Sequence, residues 1–165
     1  MKEGASDMSE HSKSSTTRCS DADGRYDALL LQNQLCFPLY AVSKEVVRLY
    51  KPFLDEIGLT YTQYIAMMVI WEKRSLSVKE LGEHLYLDSG TLTPLLKKME
   101  AQGLVSRQRN AADERSVIVT VTEAGDALRA RAAIIPERIG ACLPLTKGES
   151  ETLYQLLYKV LHAIQ

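Results

Sequence analysis

Between Ser77 and Val121 the hydrophobic period changes from helical to alternating, and this change limits the possible folds more than any other feature of the chain. Ser77-Val78-Lys79-Glu80 is a capping box, a pattern in which the serine hydroxyl and the glutamate carboxylate satisfy backbone amides at a helix start. It opens a short helix with Val78, Leu81 and Leu85 turned inward. After Tyr86 and Leu87, Asp88 caps a further helix whose inward stripe is Leu92, Leu95, Leu96 and Met99. Gly103 stops it. Two short strands follow, one from about Leu104 to Arg109 and one from Val117 to Val121, the second placing Val117, Val119 and Val121 on one face. The polar stretch from Asn110 to Ser116 reads as the loop between them. Two short helices joined by a tight turn, with a hairpin directly behind, predict a winged helix-turn-helix.

Helices flank this unit. Leu39, Val42, Val46, Leu49 and Phe53 recur at spacings of three and four and form one apolar face, with Pro52 placing the helix end nearby. Thr60 to Gln63 is another capping box, opening a helix through Trp71. Thr122 begins a helix that carries Leu128 and Ile135, with a kink expected at Pro136. Thr146 to Glu149 opens the last helix, with the stripe Leu153, Leu156, Leu157, Val160, Leu161 and Ile164. The fold class is therefore mainly α with a small β-hairpin. Residues 60–121 form the DNA-binding unit, with its recognition helix at about 88–102 and its wing at about 104–121. Of the flanking helices, Ile134 to Leu143 and Leu153 to Ile164 carry more apolar surface than a lone wing domain can cover, which suits association.

Composition narrows the functional classes. Residues 1–27 are polar and serine-rich, which predicts a disordered tail. No apolar run approaches the roughly 20 residues of a membrane span, and no leader is recognisable, so a cytoplasmic protein without membrane contact is expected. Cys19, Cys36 and Cys142 make neither a disulfide scaffold nor a metal-ligand pattern, and no metal or other cofactor is expected. The net charge of −1 does not advertise nucleic acid. Between Lys97 and Arg115, however, five basic residues (Lys97, Lys98, Arg107, Arg109, Arg115) face three acids, which suits DNA if the fold focuses them.

In the recognition helix the inward stripe leaves Ser89, Gly90, Thr91, Thr93, Lys97 and Lys98 outward. The N-terminal end of such a helix enters the major groove, where short hydroxyl side chains reach bases or phosphates. Lys97 and Lys98 are either contacts to the DNA backbone or a solvated face. Pro94 removes a helical hydrogen bond, so the helix is expected to start later than Asp88 or to be irregular there. Arg115, in the loop, is placed to enter a narrow minor groove, with Asp113 holding its guanidinium; the bland alternative is an exposed ion pair.

Four segments carry a resemblance to a known family. They are Asn33-Gln34-Leu35-Cys36-Phe37, Leu59 to Tyr64, Leu85 to Lys97, and Asp113-Glu114-Arg115-Ser116. Together they resemble the MarR family of winged-helix regulators, and within it the OhrR branch of organic-hydroperoxide-sensing repressors. The resemblance runs from about Leu29 to the C-terminus. It implies a dimeric repressor on a pseudo-palindromic double-stranded DNA operator, with an organic hydroperoxide as effector and with the N- and C-terminal helices, 28–58 and 123–165, forming a helical dimerisation module. It further implies that Cys36 is the peroxide-reactive cysteine and that Tyr40 and Tyr50 hydrogen-bond its sulfur in the reduced state. If Asn33 caps the first helix, Cys36 falls in its first turn, where the helix dipole favours a thiolate. Pro38 agrees with a helix start close by.

Cys36 and Tyr50 are fourteen residues apart, about 21 Å of rise on one helix. No tyrosine spans that distance, so their contact needs a partner subunit. Cys142 lies where two-cysteine members of the branch carry their resolving cysteine. One-cysteine members cap the oxidised sulfur with a small thiol instead, and Cys19 is a further candidate partner. Three other readings stand beside this one: release by a small aromatic ligand, a thiol peroxidase, and a winged helix that binds only protein. Against the peroxidase, no Cys/His/Arg constellation suited to turnover is visible.

Overall fold

The computed structural model describes residues 26–111 and 113–164, Glu114's side chain apart. Most of the expected tail, including Cys19, lies outside the described residues. The chain divides into two units, Met1–Ala41 and Val42–Gln165.

In the first unit, two 3₁₀ turns, Asp27–Leu29 and Leu31–Asn33, lead into helix α1, Cys36–Ile57. Asn33 does not cap α1 as expected. Its Nδ2 donates instead to the Asp27 carbonyl at 2.8 Å, which closes the preceding turn. Cys36 is thereby the first helical residue, and Pro38 lies in the first turn, where a missing N–H costs nothing.

The second unit holds the rest of α1, the helices α2 (Tyr61–Lys73), α3 (Val78–Leu85) and α4 (Ser89–Ala101), and then α5 (Glu123–Ala132), α6 (Ile135–Cys142) and α7 (Lys147–Ala163). Strands β1 (Ser75–Ser77), β2 (Val105–Asn110) and β3 (Asp113–Val121) form one antiparallel sheet in the order β1-β3-β2. The expected hairpin thus has a third strand. β1 precedes α3 and pairs Leu76 with Val119, while the Ser75 and Thr120 hydroxyls meet at 2.8 Å. Pro52 sits inside α1 rather than at its end, and the helix stops five residues later, before Gly58 with its φ of 72°. Pro136 does not kink one long helix. The chain breaks between Ala132 and Ile135, and Pro136 occupies the first turn of α6, which tolerates it.

The three capping boxes form as read from the sequence, at Thr60–Gln63, Ser77–Glu80 and Thr146–Glu149. The core collects Met67, Ile70, Leu81, Leu92, Leu96, Met99, Val105 and Val119, all essentially sealed from solvent. Gln63 is the polar member. Its Oε1 accepts the Thr60 amide at 2.9 Å and its Nε2 donates to Gln102 Oε1 at 2.8 Å, so its burial leaves no polar atom unmet.

Helix α5 is fixed to this core at its first turn. The Trp71 indole N–H donates to the Gly125 carbonyl at 2.8 Å, and Thr122 Oγ1 donates to the Gly103 carbonyl at 2.6 Å. The Arg74 guanidinium forms a two-pronged pair with Asp126. Gly125 itself packs so closely that a Cβ there would lie 2.0 Å from the Leu104 carbonyl oxygen. Arg131 donates to the Glu56 carbonyl at 2.5 Å, tying α5 to the end of α1.

Other apolar faces find no cover among the described residues. Leu153, Tyr154, Leu156, Leu157, Tyr158 and Val160 of α7 are exposed, as are Val42, Val47 and Leu49 of α1. An apolar surface of this extent is the mark of an association surface.

Candidate nucleic-acid interface and redox centre

Helix α4, the expected recognition helix, spans Ser89–Ala101 and is capped at Asp88. Asp88 Oδ1 accepts the Thr91 amide at 2.9 Å and starts α4 at Ser89. Those hydrogen bonds hold the Asp88 carboxyl below its ordinary value. Pro94 neither delays the helix nor breaks it. Proline supplies no N–H to the Gly90 carbonyl four residues back. At Gly90 itself a Cβ would stand 2.8 Å from Asp88 Oδ1, the capping atom.

Ser89, Gly90, Thr91 and Thr93 are exposed at this end, and Lys97 and Lys98 are exposed further along. Two of the hydroxyl protons are already committed. Thr91 Oγ1 donates to Asp88 Oδ2 at 2.9 Å and Thr93 Oγ1 to the Ser89 carbonyl at 2.7 Å. In these rotamers the threonines offer acceptor lone pairs, which suit base amino groups better than phosphate oxygens.

Arg115 is not in a loop. It lies on β3, which begins at Asp113, three residues after β2 ends at Asn110. The register explains the difference: Asn110 pairs with Asp113 but Arg109 pairs with Val117, so residues 114–116 bulge out with no opposite number. Asp113 serves this bulge differently from expectation. Its Oδ1 accepts the Arg115 backbone N–H at 3.1 Å, so the carboxylate shapes the backbone that displays the arginine and does not grip its guanidinium. A cleft of about 860 Å³ between α3, α4 and the wing brings Ser89, Thr93, Asp113 and Arg115 together. Lys97 and Lys98 do not line it.

The cleft also holds Lys79, which the sequence reading passed over. The helical period could have found it, since it points away from Val78, Leu81 and Leu85. Arg107 lines the cleft as well, but its guanidinium is engaged with Glu100. Its Nε and one terminal nitrogen donate to Glu100 Oε2 at 2.9 and 2.6 Å, and the guanidinium holds the Glu100 carboxyl below its ordinary value.

The sensor candidates fall in different units. Cys36 and Tyr40 belong to the first, and both are exposed. Tyr50 and Cys142 belong to the second. Tyr50 is half-buried, its ring 5.0 Å from that of Tyr61 and 5.8 Å from that of Tyr64. Burial raises its phenol pKa and Tyr61 adds to the shift, so its hydroxyl stays protonated and able to donate. Cys142 is the last residue of α6 and its thiol is exposed.

This fold, with a capped recognition helix and an arginine on a bulged wing strand, defines a winged-helix DNA-binding transcriptional regulator. A family model described as the transcriptional regulator SarA/Rot matches residues 48–131. The organic hydroperoxide resistance transcriptional regulator of Bacillus subtilis is 49% identical over 145 residues, which are 86% of this chain and 97% of that relative. Reduced AbfR bound to DNA superposes with a TM-score of 0.71 at 34% identity, over 84% of this chain and 96% of that one. Disulfide-formed AbfR superposes with a TM-score of 0.60 at the same identity and coverage. The chain belongs to the MarR family of winged-helix regulators, in its organic-hydroperoxide-responsive OhrR branch.

Arg115→Ala is expected to weaken operator binding by at least about tenfold and to flatten the salt dependence by about one unit of log–log slope, as for loss of one phosphate-proximal cation. Mobility shifts across a salt series measure both quantities.

Proposed function

We propose that the chain is a homodimeric repressor that holds double-stranded DNA while Cys36 is reduced and releases it when an organic hydroperoxide oxidises that sulfur. What carries the reading is the placing of Cys36 as an exposed thiol at the first position of a long helix, in a chain 49% identical to a hydroperoxide resistance regulator.

The chemistry runs in two steps. The Cys36 thiolate attacks the hydroperoxide, the O–O bond breaks, and the products are a Cys36 sulfenic acid and the alcohol. The Cys142 thiol of the partner subunit then attacks the sulfenic sulfur, forming a disulfide and releasing water. Tyr40, and Tyr50 of the partner subunit, donate hydrogen bonds to the reduced sulfur. The partner is required because α1 is continuous from Cys36 to Ile57, and fourteen residues of helix rise about 21 Å. The exposed apolar faces of α1 and α7 supply the association surface. Two recognition helices of one dimer then read half-sites about 34 Å apart on a pseudo-palindrome. A disulfide needs Cα atoms within about 7 Å, so closing it moves one helix against its partner and spoils that spacing.

The protein acts as a regulator and consumes peroxide once per thiol pair, without catalytic turnover. Among the described residues, no helix is long and apolar enough to cross a membrane.

The deciding experiment is a mobility shift with reduced, peroxide-treated and dithiothreitol-restored protein, beside a non-reducing gel. Binding lost on oxidation and regained with thiol is the expected result. Release that dithiothreitol cannot reverse would point to a bound ligand instead. Cys142→Ser is expected to remove the covalent dimer from the gel. A covalent dimer persisting in that variant would shift the resolving role to another thiol.

A further inference from the structure

Glu100 and Arg107 sit where the recognition helix hands over to the wing, one on the last full turn of α4 and the other on β2. Three hydrogen bonds join them. The guanidinium supplies two, at 2.6 and 2.9 Å, to Glu100 Oε2, and the Arg107 backbone N–H donates to Glu100 Oε1 at 3.1 Å. One carboxylate therefore grips both the side chain and the backbone of a wing strand. The Arg107 side chain is only 22% exposed, and a planar guanidinium held through two nitrogens on one carboxylate oxygen, with the residue's own backbone N–H on the other, tolerates little rotation. Arg107 pairs with Val119, a fully buried residue of β3. β3 carries the bulge that displays Arg115.

We propose that Glu100 and Arg107 are positioning residues for DNA binding: they touch no DNA, but set the pitch of the wing against the recognition helix so that Arg115 and the α4 N-terminus engage one operator together. The proposal rests on the DNA-binding reading above. It takes Arg107 out of the basic patch and gives an acid on the DNA-facing side a favourable role. Its predictions differ from those of the simpler view, in which Arg107 contacts phosphate and Glu100 merely repels it, so that Glu100→Ala would bind more tightly and Arg107→Lys would bind as wild type does.

The test uses the full-length reduced protein and the DNA that wild type selects from a random-sequence pool. Glu100→Ala keeps a strong helix former in α4 and removes a negative charge near DNA. Arg107→Lys keeps a cation of similar reach and loses the fork. If the pair positions the wing, both variants bind at least about tenfold more weakly with an unchanged salt slope. Hydroxyl-radical protection of the selected site is then lost where the wing lies and kept under the recognition helix. Thermal melts show whether each variant is folded at the binding temperature, and either folded variant is sufficient. Tighter binding by Glu100→Ala, or wild-type binding by Arg107→Lys, overturns the proposal. Failure of wild type to select any DNA would instead overturn the reading beneath it.

Discussion

Cys36→Ser is expected to bind operator DNA as the reduced wild type does and to stay bound at hydroperoxide concentrations that release wild type completely. Serine keeps the size of the residue at the helix start, but its hydroxyl forms no anion that a peroxide can oxidise at neutral pH. The effect is total because sulfenic acid formation is the first step and no later step can begin without it. Cys142→Ser differs in kind, since that variant still forms the sulfenic acid and loses only the bond that follows. A mobility-shift titration with cumene hydroperoxide, followed by mass spectrometry of the oxidised sulfur, separates the two. Release of the Cys36→Ser dimer by the same oxidant would end the sensor assignment.

The largest effect on stability is expected from Gly125→Ala. The new methyl would stand 2.0 Å from the Leu104 oxygen, 2.9 Å from its carbonyl carbon and 3.2 Å from its Cα. All three are backbone atoms, so no side chain can swing aside. Relief requires α5 to lift from the α4–β2 turn, which stretches the Trp71–Gly125 and Thr122–Gly103 hydrogen bonds as well. Overpacking of this kind costs about 3 kcal/mol, a large share of the roughly 5–15 kcal/mol that holds a domain together. Urea denaturation measures the loss. Gly148→Ala, on α7 with nothing within 4 Å of the new Cβ, is the control and is expected to be neutral or stabilising by up to about 1 kcal/mol. Equal losses at both sites would mean that the close approach at Gly125 is not what limits stability.

The features that were legible in the sequence are those built from neighbouring residues. Each capping box closes over four residues, so Thr60, Ser77 and Thr146 announce their helices without help from the rest of the chain. The recognition helix was legible for the same reason, since Asp88 caps it within three residues. Features that depend on a distant partner were not. β1 is three residues long with one inward side chain, Leu76, and becomes a strand only because β3 lies beside it. The bulge at 114–116 is a property of the pairing between two strands, and the stretch from Asn110 to Ser116, without a large apolar residue, gave no hint of where that pairing would resume. Composition puts Arg107 among the five basic residues between Lys97 and Arg115 because it cannot tell that Glu100 lies across from it. Within the sensor, Cys36 was marked by the residues around it, whereas the partners of its sulfur depend on a second copy of the chain.

The attachment of α5 to the DNA-reading core has a mechanical meaning. Trp71, Arg74 and Thr122 clamp the first turn of α5 from separate directions, so this helix cannot swivel on the core that it leaves. The core and the first turn of α5 are thus tied as one piece, up to the break between Ala132 and Ile135. Cys142 ends the short helix beyond that break, and Ile135 and Ile139 of the same helix are themselves buried in the core. In the proposed switch, a bond formed at Cys142 would therefore load the reading head through side-chain packing as well as through the backbone of residues 133–134.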